Sequence, residues 1–319
     1  MWRPPPPSIE RLLALHGLRG CLARRVADLD CTVWRVLSEQ ADMALRIYAE
    51  ERNDPAPIDT EIAWLRALSQ AGLHVPRPVA DRRGRYRMSW HAEPDAAPRH
   101  AVLLNWLPGH MLYAGLRPVH LRRIGELAAH LHNSAQQRVS SRQAHTPDLS
   151  GWADGQRRLP TTYPRGLEAT VQRSAKQLLA LKQAWPRDAV HWGFLHGDLH
   201  PWNIVFHKGA AGAIDFTDCG WGWTAQDLAG VLRFMKHPLT PRDAHLGSNY
   251  PRLRDALLEG YAMRRPVPNT LLGQIEPLMA EGMLTTLQWI VDDWPRPDHR
   301  AWGLGFLSGL EAALAETLG

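Results

Sequence analysis

The stretch from Phe194 to Gly222, FLHGDLHPWNIVFHKGAAGAIDFTDCGWG, constrains this chain more than any other. It crowds His196, Asp198, His200, Asn203, Asp215 and Asp218 into two loops separated by a candidate hairpin. Gly197 and Pro201 keep the first loop out of regular structure. The predicted strands are Ile204 to Phe206 and Ala213 to Phe216, joined through His207 to Gly212. Asp215 is therefore expected on a short buried strand, flanked by the apolar Ile214 and Phe216.

The order His-x-Asp-x-x-x-x-Asn, from His196 to Asn203, is that of a loop for phosphoryl transfer. A carboxylate at Asp198 can accept the proton of an attacking hydroxyl. The neutral amide oxygen of Asn203 can ligate a divalent cation without adding charge, and Asp215 can bridge the cation to phosphates. Two other readings use the same residues. His196 and His200 have a spacing like that of HExxH zinc sites, but that motif needs a continuous helix, which Gly197 and Pro201 oppose. A phosphohydrolase with a His/Asp metal cluster is the second. The pairing of HGDLHPWN with IDFTD favours phosphoryl transfer over both.

Before this segment the pattern is one of strands with one internal helix. Ser8 is a candidate cap for a helix carrying Ile9, Leu12 and Leu13 and closed near Gly20. Thr32 to Leu37 and Met43 to Tyr48 read as strands flanking a turn. In the second, Met43, Leu45 and Ile47 share one face, while Ala44, Arg46 and Tyr48 share the other. Arg46 is thus a mid-strand cation opposite the apolar face. Asp59 is a candidate N-cap for a helix from Thr60 to Gln70, ended by Gly72. Glu61, Leu65 and Leu68 fall on one stripe of it, so a buried Glu61 would need a partner, and Arg46 is available. Tyr86 to Ala92 and Ala101 to Trp106 are two further strands. Leu107-Pro108-Gly109 breaks the pattern, which places a boundary between residues 1–106 and 107–319.

Beyond it the chain reads as mainly helical. Leu121, Ile124, Ala128 and Leu131 mark one helix, and Leu167, Val171, Leu178 and Leu181 another. Thr224 to Asp227 is a capping-box pattern opening a helix to about Met235. Leu253 to Met263, Pro277 to Ile290 and Trp302 to Leu318 are further candidates.

The net charge of +5 raises the question of nucleic acid, but the basic residues are scattered without a run. From Glu276 onward the sign reverses: Glu276, Glu281, Asp292, Asp293, Asp298, Glu311 and Glu316 face only Arg296 and Arg300. Cys21, Cys31 and Cys219 form no disulfide framework and no CxxC pair, which fits a reducing compartment. No apolar run is long enough for a membrane span, and a cytoplasmic protein is expected.

HGDLHPWN, IDFTDCGWG and the following Asp227-Leu228-Ala229 resemble the aminoglycoside phosphotransferase and choline-kinase-like superfamily, small-molecule relatives of protein kinases. ALRIY, EIAWLRAL and GLHVPRPV extend the resemblance over nearly the whole chain. It implies an α+β, bilobal protein kinase-like fold, with a small antiparallel β-sheet lobe carrying one helix and a larger, mainly helical C-terminal lobe. It also implies ATP (or GTP) and Mg²⁺ in the cleft. Asp198 would be the catalytic base, and Asn203 and Asp215 the metal ligands. Arg46 would grip phosphate, with Glu61 as its helix partner. Thr32, with Asp30 and Cys31, would lie in the first β-turn over the phosphates. Asn105 and Trp106, within a hinge from Leu104 to Leu107, would meet the base. His196 and Asp227 would brace the loop. Arg46 stands where the family often has Lys, replacing a point charge with a planar fork.

The expected reaction is ATP-dependent transfer to a hydroxyl of a small polar molecule, aminoglycoside-like or amino-alcohol, with no nucleic-acid or membrane partner. The acidic C-terminal segment favours a cationic acceptor. A bacterial serine/threonine protein kinase of the same superfamily and a non-catalytic nucleotide sensor are the alternatives.

Overall fold

The computed structural model describes residues 2–28, 31–39, 41–52, 54–91, 97–135, 147–159, 163, 166–292 and 297–318. One compact unit runs to Gly109 and a second begins at His110.

The first unit is an antiparallel sheet of β1 (Leu22–Asp28), β2 (Cys31–Leu37), β3 (Asp42–Tyr48), β4 (Arg87–His91) and β5 (Pro98–Asn105), in the order β1-β2-β3-β5-β4. Helices α1 (Pro7–Leu15) and α2 (Pro55–Gln70) belong to it. The two faces of β3 differ as the alternation requires. Leu45 and Ile47 join a core with Ile9, Leu12, Leu13, Val36, Met88 and Leu103. Arg46 and Tyr48 point the other way, to Glu61 of α2. Strand β1 was not expected. Its only buried residue is Ala23, and Arg24 and Arg25 on this edge hide the strand pattern, while the edge itself is met at Ala23 by a single bridge from Arg3.

The helix starts differ from expectation. Pro6, not Ser8, occupies the N-cap of α1, with no side-chain capping bond. Gly17 at φ 78° closes it, with Leu18 N–H donating to Leu13 O at 3.1 Å, three residues before Gly20. Helix α2 starts at Pro55: the Asp54 carboxylate accepts from Ala56 N at 2.9 Å, and Pro55 needs no N–H in the first turn. Asp59, the expected cap, instead pairs with Arg87 at 2.8 Å. Gly72, at φ 80°, follows the end of α2 as expected.

The second unit contains α3 (Pro118–Ala135), the short α4 (Ser150–Ala153), α5 (Leu167–Ala184), α6 (Ala225–Lys236), α7 (Tyr250–Ala262), α8 (Asn269–Asp292) and α9 (Pro297–Leu318). Leu121, Ile124, Ala128 and Leu131 are fully buried on α3. Gly125 of α3 faces the backbone of α7, and Gly260 of α7 faces that of α3, so two main chains cross where a Cβ would not fit. Among the described residues no helix is long and apolar enough to cross a membrane.

Two strand pairs carry the central segment. Strand β6 (Trp192–Leu195) pairs antiparallel with β9 (Gly220–Trp223). Strands β7 (Ile204–His207) and β8 (Ala210–Ala213) form a hairpin. Its turn is tighter than expected: Lys208 (φ 49°) and Gly209 (φ 80°) supply two left-handed residues, as a two-residue hairpin turn requires. Strand β8 therefore runs Ala210–Ala213 and is over before Asp215. Thr224 stands at the N-cap of α6 but makes no capping bond; its hydroxyl donates to Val190 O at 2.8 Å. Asp227 turns to the loop after β6, so the TAQD sequence is not a capping box.

Candidate active site

The loop after β6 is held by its main chain. His196 N–H and Gly197 N–H each donate to the Asp227 carboxylate at 3.0 Å. Gly197 takes φ 85°, which reverses the chain ahead of Asp198. His196 is fully buried, and its Nε2 donates to Ile214 O at 3.0 Å, tying the loop to the end of β8. With that nitrogen spent on a carbonyl, His196 does not join His200 in a zinc pair. Beneath the loop, a Cβ on Gly230 of α6 would lie 2.6 Å from Leu199 O.

Asp198 projects from this frame with its side chain 47% exposed. Asn203 Nδ2 donates to Asp198 Oδ2 at 3.1 Å and to Asp198 O at 2.9 Å. His200 Nε2 lies 3.2 Å from the same carboxylate. Burial pushes the Asp198 carboxyl up, but His200, His196 and Arg233 outweigh it and hold the pKa at about 2. Asp198 is thus an ionised, oriented acceptor at neutral pH. Arg233 is a buried cation whose Nη1 donates to Gly282 O at 2.7 Å and Thr286 Oγ1 at 2.9 Å. Burial lowers its pKa to about 10 against the pull of Asp198 and Asp243, so it keeps its charge.

Asn203 sits in the short turn Pro201–Asn203 with its amide nitrogen committed to Asp198. That orientation turns Oδ1, a hard neutral oxygen, toward other use. Asp215 differs from expectation. It lies past β8 at φ 63°, exposed, with Oδ1 accepting from Thr217 Oγ1 at 2.6 Å. The left-handed turn lifts the carboxylate out while Phe216 packs beneath, its ring 4.5 Å from that of His196. An amide and a carboxylate oxygen suit Mg²⁺ better than a thiophilic or imidazole-seeking metal. Among the described residues no group of three or more His, Cys, Asp and Glu could hold a metal by itself.

In the first unit, Arg46 Nη1 lies 2.5 Å from Glu61 Oε1, and Tyr48 Oη donates to Glu61 Oε2 at 2.8 Å. The ion pair is nearly closed to solvent, at 8% and 4% side-chain exposure. Burial first, then the Glu61 carboxylate, drive the Tyr48 phenol well above its ordinary pKa. Thr32 Oγ1 donates to Asp28 Oδ1 at 2.8 Å between β2 and β1, and Asp30 lies outside the described residues. The Asn105 and Trp106 N–H groups are already engaged, by Arg77 O at 3.0 Å and Asp42 O at 2.9 Å. Arg35 stacks 4.3 Å from the centre of the Trp106 ring.

Sequence reasoning missed Tyr48, His132 and Arg233. Tyr48 was legible, since it shares the Arg46 face of β3. His132 lies in the buried stripe of α3, 3.0 Å from Asp227 Oδ2, and Arg233 lies one turn below Gly230; neither belongs to a pattern. The acidic C-terminal segment does not gather into a face. Glu281 pairs with Lys182, Glu276 with Lys236, Asp292 with Arg157, and Glu316 approaches Lys236 and His237. Asp293 and Arg296 lie outside the described residues.

A buried Arg–Glu pair between a sheet and a helix, and a His-Gly-Asp loop clamped through its amides, are the parts of a protein-kinase-like phosphotransferase. Residues 23–269 match the phosphotransferase enzyme family, and the chain belongs to it. It is similar to a homoserine kinase of Gluconacetobacter diazotrophicus, 31% identical over 76% of this chain and 72% of that one. Among solved structures, its fold matches a microcompartment-associated aminopropanol kinase (TM-score 0.76, 19% identity, 98% of this chain and 94% of that one). It also matches amicoumacin kinase hAmiN in complex with AMP-PNP, Ca²⁺ and Ami (TM-score 0.74, 20% identity, 91% and 88%). The expected α+β kinase-like fold and the expected family are the ones found.

Proposed function

We propose that this protein transfers the γ-phosphoryl group of ATP to a hydroxyl of a small polar molecule, with Asp198 as catalytic base. The observation that carries the reading is the state of Asp198: ionised, half-exposed, and aimed by Asn203 and His200 on a loop fixed at its amides. The carboxylate accepts a hydrogen bond from the acceptor hydroxyl, orients its oxygen and receives its proton as the new O–P bond forms and the bond from the γ-phosphorus to the β–γ bridging oxygen breaks, releasing ADP. Asn203 and Asp215 are the residues that would hold Mg²⁺, which when bound neutralises charge on the nucleotide phosphates. Arg46, fixed by Glu61, is the phosphate grip. Asn105 and Trp106 belong to the base-binding segment. Since their N–H groups are engaged, base contacts fall to carbonyl oxygens and to Leu107.

The named relatives are kinases of small molecules, which does not favour the protein-kinase or sensor alternatives. Among the described residues Cys21, Cys31 and Cys219 form no disulfide, which supports a cytoplasmic setting. The test is Asp198→Asn, which should cost about 10²–10⁴-fold in turnover while ATP still binds. Full turnover in that variant would overturn the assignment.

A further inference from the structure

We propose that Arg242 is an anion subsite for the acceptor, so that the molecule phosphorylated carries a carboxylate a few bonds from its reacting hydroxyl. The inference rests on the phosphotransferase reading of the Asp198 loop and narrows its acceptor.

The Arg242 guanidinium lies 4.2 Å from the centre of the Trp202 ring and 5.6 Å from that of Tyr113. Trp202 belongs to the catalytic loop, next to Asn203. Its ring meets Phe234 at 4.6 Å and His200 at 5.6 Å, and His200 Nε2 is 3.2 Å from Asp198 Oδ2. A cation is thus joined to the base through two rings in contact, all within one unit. Among the described residues Arg242 has no hydrogen bond and no ion pair. Its neighbour Asp243 attracts it from a distance, but that carboxylate is buried and accepts from Thr240 N at 2.8 Å. A guanidinium stacked on an indole keeps its N–H edge in plane and open, the geometry that takes a carboxylate with two parallel hydrogen bonds.

Part of the opposite charge is already in use: Glu276, Glu281 and Asp292 of the acidic C-terminal segment are each bound to a Lys or Arg of the chain. An amine at any of these three would have to displace its partner, whereas a carboxylate meets an unused guanidinium.

Matched acceptors that differ only by the carboxylate decide the matter: L-serine against ethanolamine, L-homoserine against 3-aminopropanol, and L-threonine against 1-amino-2-propanol. Initial rates with Mg-ATP are measured for the wild type and for Arg242→Gln and Arg242→Lys, beside calorimetric binding of the same compounds. At least one carboxylated member should exceed its amino alcohol about tenfold or more in kcat/KM. Arg242→Gln should raise its KM about tenfold, with a far smaller change in kcat, and Arg242→Lys should fall between. Equal or better turnover of the amino alcohols, an unmoved KM in Arg242→Gln, or no binding of any carboxylated member would overturn the subsite. Carboxylate binding that depends on Arg242 without any phosphoryl transfer would instead overturn the phosphotransferase reading and leave the subsite standing.

Discussion

His132 Nε2 lies 3.0 Å from Asp227 Oδ2, although the two residues are 95 positions apart. The other ring nitrogen lies 2.9 Å from Tyr261 Oη, which accepts from Arg265 Nε at 3.0 Å. These partners assign a neutral imidazole, receiving a proton from Tyr261 and giving one to Asp227. Arg265, Tyr261, His132 and Asp227 form one buried line that ends on the amides of His196 and Gly197.

Burial, outweighing the pull of Asp227, lowers the His132 pKa, and burial lowers those of His16, His120 and His237 as well. The unfolded chain therefore binds more protons than the folded one below about pH 6.5. Stability should be full above that pH and fall as pH drops below it, read as a lower urea midpoint at pH 5.5 than at pH 7.5. His132→Gln should flatten that slope. It should also cost about 1–3 kcal/mol, because the Asp227 network loses a matched partner.

Arg46→Ala should destabilise the protein by about 3–5 kcal/mol, since Glu61 would stay buried with its cation removed. Tyr48→Phe should cost only about 1 kcal/mol. Urea denaturation separates the two. Arg46→Ala should also raise the KM for ATP, and Tyr48→Phe should move it far less.

Asp215 isolates charge from backbone. Asn tolerates the left-handed region, so Asp215→Asn should melt near the wild type while losing metal-dependent nucleotide binding. Asp215→Val should lose the same binding and about 1–2 kcal/mol of stability besides. Thermal melts beside nucleotide titrations with and without Mg²⁺ check both halves.

Gly230→Ala would press a methyl group onto Leu199 O, one residue from Asp198. A shift of the loop by even 1 Å should lower kcat about 100-fold, with stability reduced by about 1–3 kcal/mol. A retained kcat in a folded Gly230→Ala variant would show that α6 gives way instead of the loop.

Much of this was legible because the chemistry is local. His196, Asp198 and Asn203 sit within one loop whose irregularity Gly197 and Pro201 declare, and the period-two pattern of β3 put Arg46 opposite the core. Other features depend on contacts between distant segments. Strand β1 looks polar because it is an edge. Asp215 left its expected strand because small residues, Ala210 to Gly212, pair although they carry little strand signal. Asp227 reads locally as part of a cap; the family resemblance, and not its local pattern, points to the loop whose amides it holds. The acids after Glu276 form a charged run in the sequence, but the fold distributes them among Lys182, Lys236 and Arg157.

The loop after β6 is anchored from beneath: two amides on Asp227, the buried His196 ring on Ile214 O, and a carbonyl resting over Gly230. Tyr113 and Arg242 lie outside that loop and take no part in its anchorage. If Arg242 holds the acceptor as proposed, evolution, or a designer, can retune what the enzyme accepts by exchanging Arg242 and Tyr113 while Asp198 stays in register. A shared scaffold could in this way supply many acceptor specificities without reinventing its chemistry.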